Sequence, residues 1–274
     1  MNVRFADRRP DGAHALALPV TTPGALDGAL AGLAGADILK RAATGERFQA
    51  EPASLVEAWA ASEGTEVRRV LLAGLGATPD AAALEKTGAA LAARLQTSGE
   101  TTLVIDLSHF SGDRTEAGAR LAYGAVLRSW RHDLYRTRLK PKQKPTLTDI
   151  VIVGAGDGAA GLWAKLEKVA AGVAFTRGLV TEPANILYPE SFVERARALE
   201  ALGVEITVLD EAAMREAGMG ALLGVSQGSA REARLLVMKW DGTGGKADPV
   251  ALVGKGVTST PAASRSSRRP AWRT

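Results

Sequence analysis

There is no cysteine in this 274-residue chain, which excludes disulfides and thiolate chemistry and makes a reducing cytosol its expected home. Aromatic residues are scarce, at 5%. No apolar run reaches the roughly 18 residues needed to span a bilayer, so no membrane partner is expected. The opening Met1-Asn-Val-Arg-Phe-Ala-Asp7 lacks the continuous apolar core of a signal peptide. Histidine occurs only at His14, His109 and His132, with no pair at metal-ligand spacing, so each reads as a surface or satisfied side chain. No serine, Ser226 included, sits in a Gly-x-Ser-x-Gly elbow, which argues against a serine hydrolase.

What is present fits a globular protein: 46% hydrophobic residues, mean hydropathy near zero and length for one large domain or two ordinary ones. The formal charge of +4 matches the four arginines after Thr258 (Arg265, Arg268, Arg269, Arg273), a segment with no acid. The body is therefore neutral, without a broad field to attract phosphate backbones.

Strand and helix patterns alternate through the first 150 or so positions. Strands are expected at Val3–Phe5, Ala13–Val20, Val70–Gly76, Thr101–Leu107 and Thr148–Val153, and helices at Asp80–Gln96 and Glu116–Tyr135. A Gly/Ala-rich apolar segment, partly helical, lies between Leu26 and Leu39, and Arg138–Pro145 reads as a charged loop. After a boundary at Gly154–Gly161, Leu162–Val180 reads as one helix, stopped by Pro183. A second α/β run follows, with helices at Pro189–Leu202 and Glu211–Leu223. Its strands are expected at Val204–Leu209, Arg234–Trp240 and Val250–Gly254.

The last of these strands organises the chemistry. Pro249-Val-Ala-Leu-Val-Gly-Lys-Gly-Val-Thr258 reads as a buried strand presenting Lys255 at its carboxyl end, where open α/β sheets place ligands. The Gly-x-x-x-x-Gly-Lys-[Ser/Thr] phosphate-loop spacing is missing. Gly156-Asp-Gly-Ala-Ala-Gly161 matches a dinucleotide fingerprint after a strand and before a helix. It lacks the acid that should end a following strand about 20 residues on. A flexible turn between domains and an NAD-binding loop both remain open readings of it, the second implying an oxidoreductase.

Three stretches together resemble the leucyl aminopeptidase (cytosol aminopeptidase) family. They are Leu179-Val-Thr-Glu-Pro-Ala-Asn-Ile-Leu-Tyr-Pro-Glu190, Gly218-Met-Gly-Ala-Leu-Leu-Gly-Val-Ser-Gln-Gly-Ser229 and Val253-Gly-Lys-Gly-Val-Thr258. Arg131-His-Asp-Leu-Tyr-Arg-Thr137 and Leu71–Gly76 are similar to its N-terminal domain, and Thr181 replaces a usual Asn. The resemblance implies an α/β protein: a macro-like N-terminal domain at 1–155, a linker and connecting helix at 156–185, and the start of an incomplete metallopeptidase domain at 186–258. It further implies two divalent metals (manganese or zinc), peptide substrates, a cytoplasmic homohexamer and Lys255 as a metal ligand. A binding or assembly role of the N-terminal domain, toward a nucleotide or DNA, is the alternative.

The family pattern would continue Phe-Asp-Thr-Gly-Gly-Ile-Ser-Ile-Lys, placing a metal-ligand Asp at 260 and a catalytic Lys at 267. Thr260 and Ser267 stand there instead. When the pattern, which runs on as Pro-Ala-Ala-Gly-Met-Glu-Asp-Met-Lys, is written in GC-rich codons chosen to fit, deleting one T from the Phe codon yields Ser-Thr-Pro-Ala-Ala-Ser-Arg-Ser-Ser-Arg-Arg-Pro-Ala-Trp-Arg-Thr and then a stop. That string is residues 259–274. The tail is therefore expected to be a frameshift product, disordered for want of apolar spacing, and the 274-residue chain to be an inactive fragment.

Overall fold

Near-continuous aliphatic runs indicate strands covered on both faces, and the first half of the structure is built from them. The structure is a computed structural model that describes residues 1–61 and 67–258. It divides into two compact units, Met1–Thr176 and Arg177–Thr274. In the first unit β1 (Asn2–Ala6), β2 (Ala15–Val20), α1 (Leu26–Ala29) and α2 (Ala36–Gly45) are followed by β3 (Leu55–Ala61) and β4 (Val67–Gly74). Then come α3 (Ala81–Leu95), β5 (Thr102–Asp106), α4 (Arg114–Ser129), β6 (Asp149–Val153) and α5 (Ala159–Thr181).

The six strands form one sheet in the order β1-β6-β5-β2-β4-β3. Every neighbouring pair is parallel except β3 against β4. Because side chains alternate across a strand, each run feeds two cores. Ala15, Ala17, Leu71, Leu103, Ile105, Ile150 and Ile152 face α3 and α4. Leu16, Leu18, Leu72, Val104 and Val151 join Leu30, Leu39 and Phe48 on the other side. α3 and α4 begin at side-chain caps, Asp80 accepting from the Ala83 amide and Asp113 from those of Thr115 and Glu116. They approach closely because Gly88 and Gly124 lie between them. A Cβ would fall 2.0 Å from the Leu121 carbonyl oxygen at the first and 1.9 Å from that of Glu85 at the second.

β3 carries no strand signal of its own in the sequence. It is an Ala-rich edge strand whose register is supplied by β4, with Ala58 opposite Val70. Helix α4 stops at Ser129, short of the Tyr135 expected, where Trp130 turns to extended backbone at ψ 135°.

The second unit contains α6 (Pro189–Ala196), β7 (Glu205–Leu209), α7 (Glu211–Glu216), α8 (Gly220–Ser226) and β8 (Leu235–Lys239). Its sheet is a two-stranded antiparallel ribbon of β7 and β8. Gly218, at φ +72°, breaks the single helix expected over Glu211–Leu223 into two. The strand expected at Val250–Gly254 does not form. Val250, Leu252 and Val253 are 89%, 94% and 99% exposed, and no described strand pairs with them. An aliphatic run becomes a central strand only where neighbours accept its amides and cover its faces.

Candidate catalytic segment

The three stretches at 179–190, 218–229 and 253–258 that carry the family resemblance lie in the second unit, and the chain places them unequally. α5 ends at Thr181, and the turn after it is closed by the Ile186 and Leu187 amides donating to the Pro183 carbonyl, both at 2.9 Å. Glu182 is drawn inward, its side chain 3% exposed and its carboxylate 2.9 Å from Arg195. Pro189 opens α6, the Tyr188 amide donates to Ser191 Oγ, and Ser191 Oγ donates to the Ile186 carbonyl. Arg231 lies 3.9 Å from the centre of the Tyr188 ring. These contacts are structural: each polar group is spent on holding the turn and α6.

Lys255 lies outside every regular element among the described residues. The Val257 amide donates to the Lys255 carbonyl at 3.1 Å, and the side chain is exposed with no partner among the described residues. The sequence reading of a buried strand delivering this lysine is therefore corrected: the strand is unpaired and the amine points at water. Among the described residues no group of three or more His, Cys, Asp or Glu is arranged to hold a metal ion. Thr260 and Ser267 lie outside the described residues. A dication needs several converging donors, so the described residues do not fit a dimetal centre.

The glycine-rich turn after β6 has a packing role. A Cβ on Gly154 would meet Ser108 at 2.7 Å, and one on Gly156 would meet Thr115 Oγ1 at 2.4 Å. The glycines let this turn close onto Ser108 and onto Thr115 in the first turn of α4. At the same carboxyl edge of the sheet, Asp106 accepts from the Ser108 amide at 2.8 Å and from Arg9 at 2.6 Å. Burial alone would push its carboxyl up, but those bonds outweigh it and hold the group below its ordinary range. His109 Nε2 donates to the Pro19 carbonyl at 2.9 Å, taking up an acceptor that β5 leaves behind when its pairing with β2 stops at Ala17. His14 Nδ1 donates to Gly12, while its buried Nε2 has no partner, and burial followed by the Arg68 charge pushes its pKa down.

One concavity of about 330 Å³ was not singled out from the sequence. Tyr135, Arg136, Thr137, Arg138, Leu139 and Gln143 line it. Its signal is a charge pattern: between Arg131 and Lys144 there are six Arg or Lys against the one acid Asp133.

Comparison with known proteins covers most of the chain. Residues 18–139 match the cytosol aminopeptidase family N-terminal domain, and residues 174–259 match the cytosol aminopeptidase family catalytic domain. A probable cytosol aminopeptidase of Caulobacter vibrioides is 42% identical over 80% of this chain and 44% of that protein. One of Methylorubrum extorquens is 39% identical over 82% of this chain and 46% of that protein. The chain thus spans less than half the length of these relatives. Among solved structures, a tomato leucine aminopeptidase mutant superposes with TM-score 0.69 at 22% identity, over 86% of this chain and 50% of that one. At that identity the likeness speaks to fold alone. The bottromycin maturation enzyme BotP in complex with Mn gives TM-score 0.66 at 25% identity, over 84% of this chain and 46% of that one.

Proposed function

Because this chain belongs to the cytosol aminopeptidase family, we propose that it carries that family's N-terminal domain and the opening part of its metal-dependent catalytic domain. The observation that carries the reading is where the catalytic match falls. It runs from 174 to 259, through Gly254-Lys255-Gly256, and reaches the position at which the acid-free tail begins. The whole enzyme removes N-terminal amino acids from peptides, in the cytoplasm and as a homohexamer. It does so with two divalent metals, manganese or zinc, of which Lys255 is one ligand. The Mn found with BotP, at 25% identity, supports the choice of metal. The metals supply Lewis-acid chemistry in the whole enzyme. Thr260 and Ser267 provide neither the carboxylate nor the amine expected at their positions.

By itself the 274-residue chain is inactive as an aminopeptidase. The test expresses this chain beside the product of the same gene with one T restored before codon 259. Both are assayed on Leu-p-nitroanilide with manganese. The restored product is expected to hydrolyse it and the 274-residue chain to stay at the blank; turnover by the latter overturns the reading. An NAD-dependent oxidoreductase is not favoured, because Gly156–Gly161 lacks the acid that should end a following strand and Gly156 has a packing role against Thr115. A DNA partner finds no support in the overall charge of the body.

A further inference from the structure

The balanced charge of residues 1–258 conceals one strongly basic surface. The loop joining α4 to the amino end of β6 is tied into shape from within. Asp133 pairs with Arg131 and with Arg136, Arg131 Nη2 donates to the Gln143 carbonyl at 3.2 Å, and the Lys140 amide donates to Gln143 Oε1 at 3.0 Å. The Asp133 carboxyl is held below its ordinary range, first by the Arg131 hydrogen bond. That leaves Arg138, Lys140, Lys142 and Lys144 exposed and without an acid to pair with among the described residues. The rings beside them are ordered too. Trp130 stacks on His132 with centroids 6.1 Å apart, and His132 meets Tyr135 at 5.7 Å. Tyr135, half exposed, thereby offers a fixed ring at the concavity of about 330 Å³ that Arg136, Thr137, Arg138 and Gln143 complete. A cavity of that size is at the small end of those that hold small molecules.

We propose that this concavity binds a nucleoside polyphosphate, its phosphates on Arg138 and drawn in by the charge of the exposed Lys140, Lys142 and Lys144 of the same loop, and its base against the Tyr135 ring. Guanidinium and ammonium groups without carboxylate partners suit a compact polyanion. A base offers the flat face that an ordered tyrosine takes. The site lies at the amino edge of β6, away from the Gly154–Gly158 turn, and is independent of any peptidase activity.

The full chain is titrated calorimetrically with ATP, tripolyphosphate and a single-stranded oligonucleotide. ATP is expected to bind more tightly than tripolyphosphate. Arg138→Gln should weaken both about tenfold, the effect of losing one charge-assisted pair. Tyr135→Leu should weaken ATP about fivefold and leave tripolyphosphate unchanged, while Tyr135→Phe, which keeps the ring, retains ATP affinity. Thermal unfolding of each variant, unchanged from the parent, shows that the loop's scaffold is intact. Absence of ATP binding by about 1 mM overturns the proposal, since the contacts named should exceed that affinity. So do equal affinities for ATP and tripolyphosphate, and an ATP affinity indifferent to Arg138→Gln. Displacement of ATP by the oligonucleotide at lower phosphate concentration would reassign the loop to nucleic acid.

Discussion

Two stretches of this chain share one pattern, four aliphatic residues closed by a glycine, and have opposite fates. Asp149-Ile-Val-Ile-Val153 is β6, followed by Gly154, and is hydrogen-bonded to β1 on one side and β5 on the other, with Ile150, Val151 and Ile152 fully buried. Pro249-Val-Ala-Leu-Val-Gly254 has no strand partner among the described residues, and Leu252 is 94% exposed. The difference does not lie in the runs themselves. β6 has α4 and α5 nearby, Gly154 at φ +69° turning tightly onto Ser108, and five other strands in its sheet. The later run has a two-stranded ribbon in its unit, whose buried apolar residues are Leu187, Val193, Ala196 and Met214. Burial is a property of the partners a segment finds, and the two units differ in how many partners they hold.

The largest test of this contrast strikes the helix pair that gives the first unit its cover. Gly124→Val would drive a branched side chain into the Glu85 backbone, where even a Cβ would sit at 1.9 Å. Backbone atoms cannot swing aside as a flexible side-chain end can. The expected cost is about 3 kcal/mol or more, at the upper end of overpacking effects. Urea unfolding of the variant should show the first unit's transition shifted far toward low denaturant or lost. An unchanged midpoint would mean that α3 and α4 are further apart than described.

Next in size is the matched pair of truncations. Ile152→Ala should cost about 2–5 kcal/mol, the usual range for emptying a buried aliphatic site. Leu252→Ala should change stability by less than about 0.5 kcal/mol, as exposed substitutions do. Equal effects measured by urea unfolding would show that the 249–254 run is buried after all. If the frame-restored product instead gives Leu252→Ala a cost near that of Ile152→Ala, the missing partners lie in the sequence which that product adds.

How much of this could be read beforehand follows the same division. β2, β4, β5 and β6 were legible because each is an aliphatic run between turn residues, and the structure covers both faces of each. β3 was not, since Leu55-Val-Glu-Ala-Trp-Ala-Ala61 carries three alanines and takes its strand character from pairing with β4. At Val250–Gly254 the reading was of a strand, and the local pattern is that of one; what it lacks is non-local. Gly156–Gly161 shows the same limit. Its spacing is shared by phosphate-binding turns and by tight packing, and the packing of Gly156 on Thr115 is visible only in the structure. Lys255 was legible through family resemblance, while its exposure is a fact of its surroundings.

A smaller effect comes with pH and is also confined to the first unit. His14 prefers to be neutral when folded, so stability should fall as pH drops below its ordinary value of 6.5 toward its lower folded value. Asp106 prefers to be charged. Its contribution is complete above its ordinary value of 3.8 and is lost as pH falls through its lower folded value. Two acid steps are expected in the denaturation midpoint of the first unit. Asp106→Asn should remove the lower step and cost about 1–2 kcal/mol at neutral pH, because Arg9 keeps access to water and is not stranded. Persistence of the lower step in Asp106→Asn would assign it to another carboxylate.

The smallest expected effect is a gain. Between α2 and β3 the backbone turns through the left-handed region at Arg47, Ala50 and Ala53, with φ of 53°, 59° and 68°. Side chains with a Cβ pay about 1–2 kcal/mol there. The first unit holds them in place because this segment is hydrogen-bonded to its neighbours. The Gly76 amide donates to the Ala50 carbonyl at 2.7 Å, and the Ala53 amide donates to Thr87 Oγ1 at 3.0 Å. Ala53→Gly relieves the strain but loosens the unfolded chain, which offsets about 0.4–1 kcal/mol. A net stabilisation near 0.5 kcal/mol should therefore raise the urea midpoint of the first unit. The second unit has the converse position in Gly203, at φ +83° after α6, where the αL turn is already made by glycine. Gly203→Ala should lose about 1 kcal/mol of local stability around β7, seen as faster amide exchange at Ile206 and Val208. If Ala53→Gly destabilises instead, the 47–53 turn is not left-handed in solution, and the strain attributed to the better-covered unit is absent.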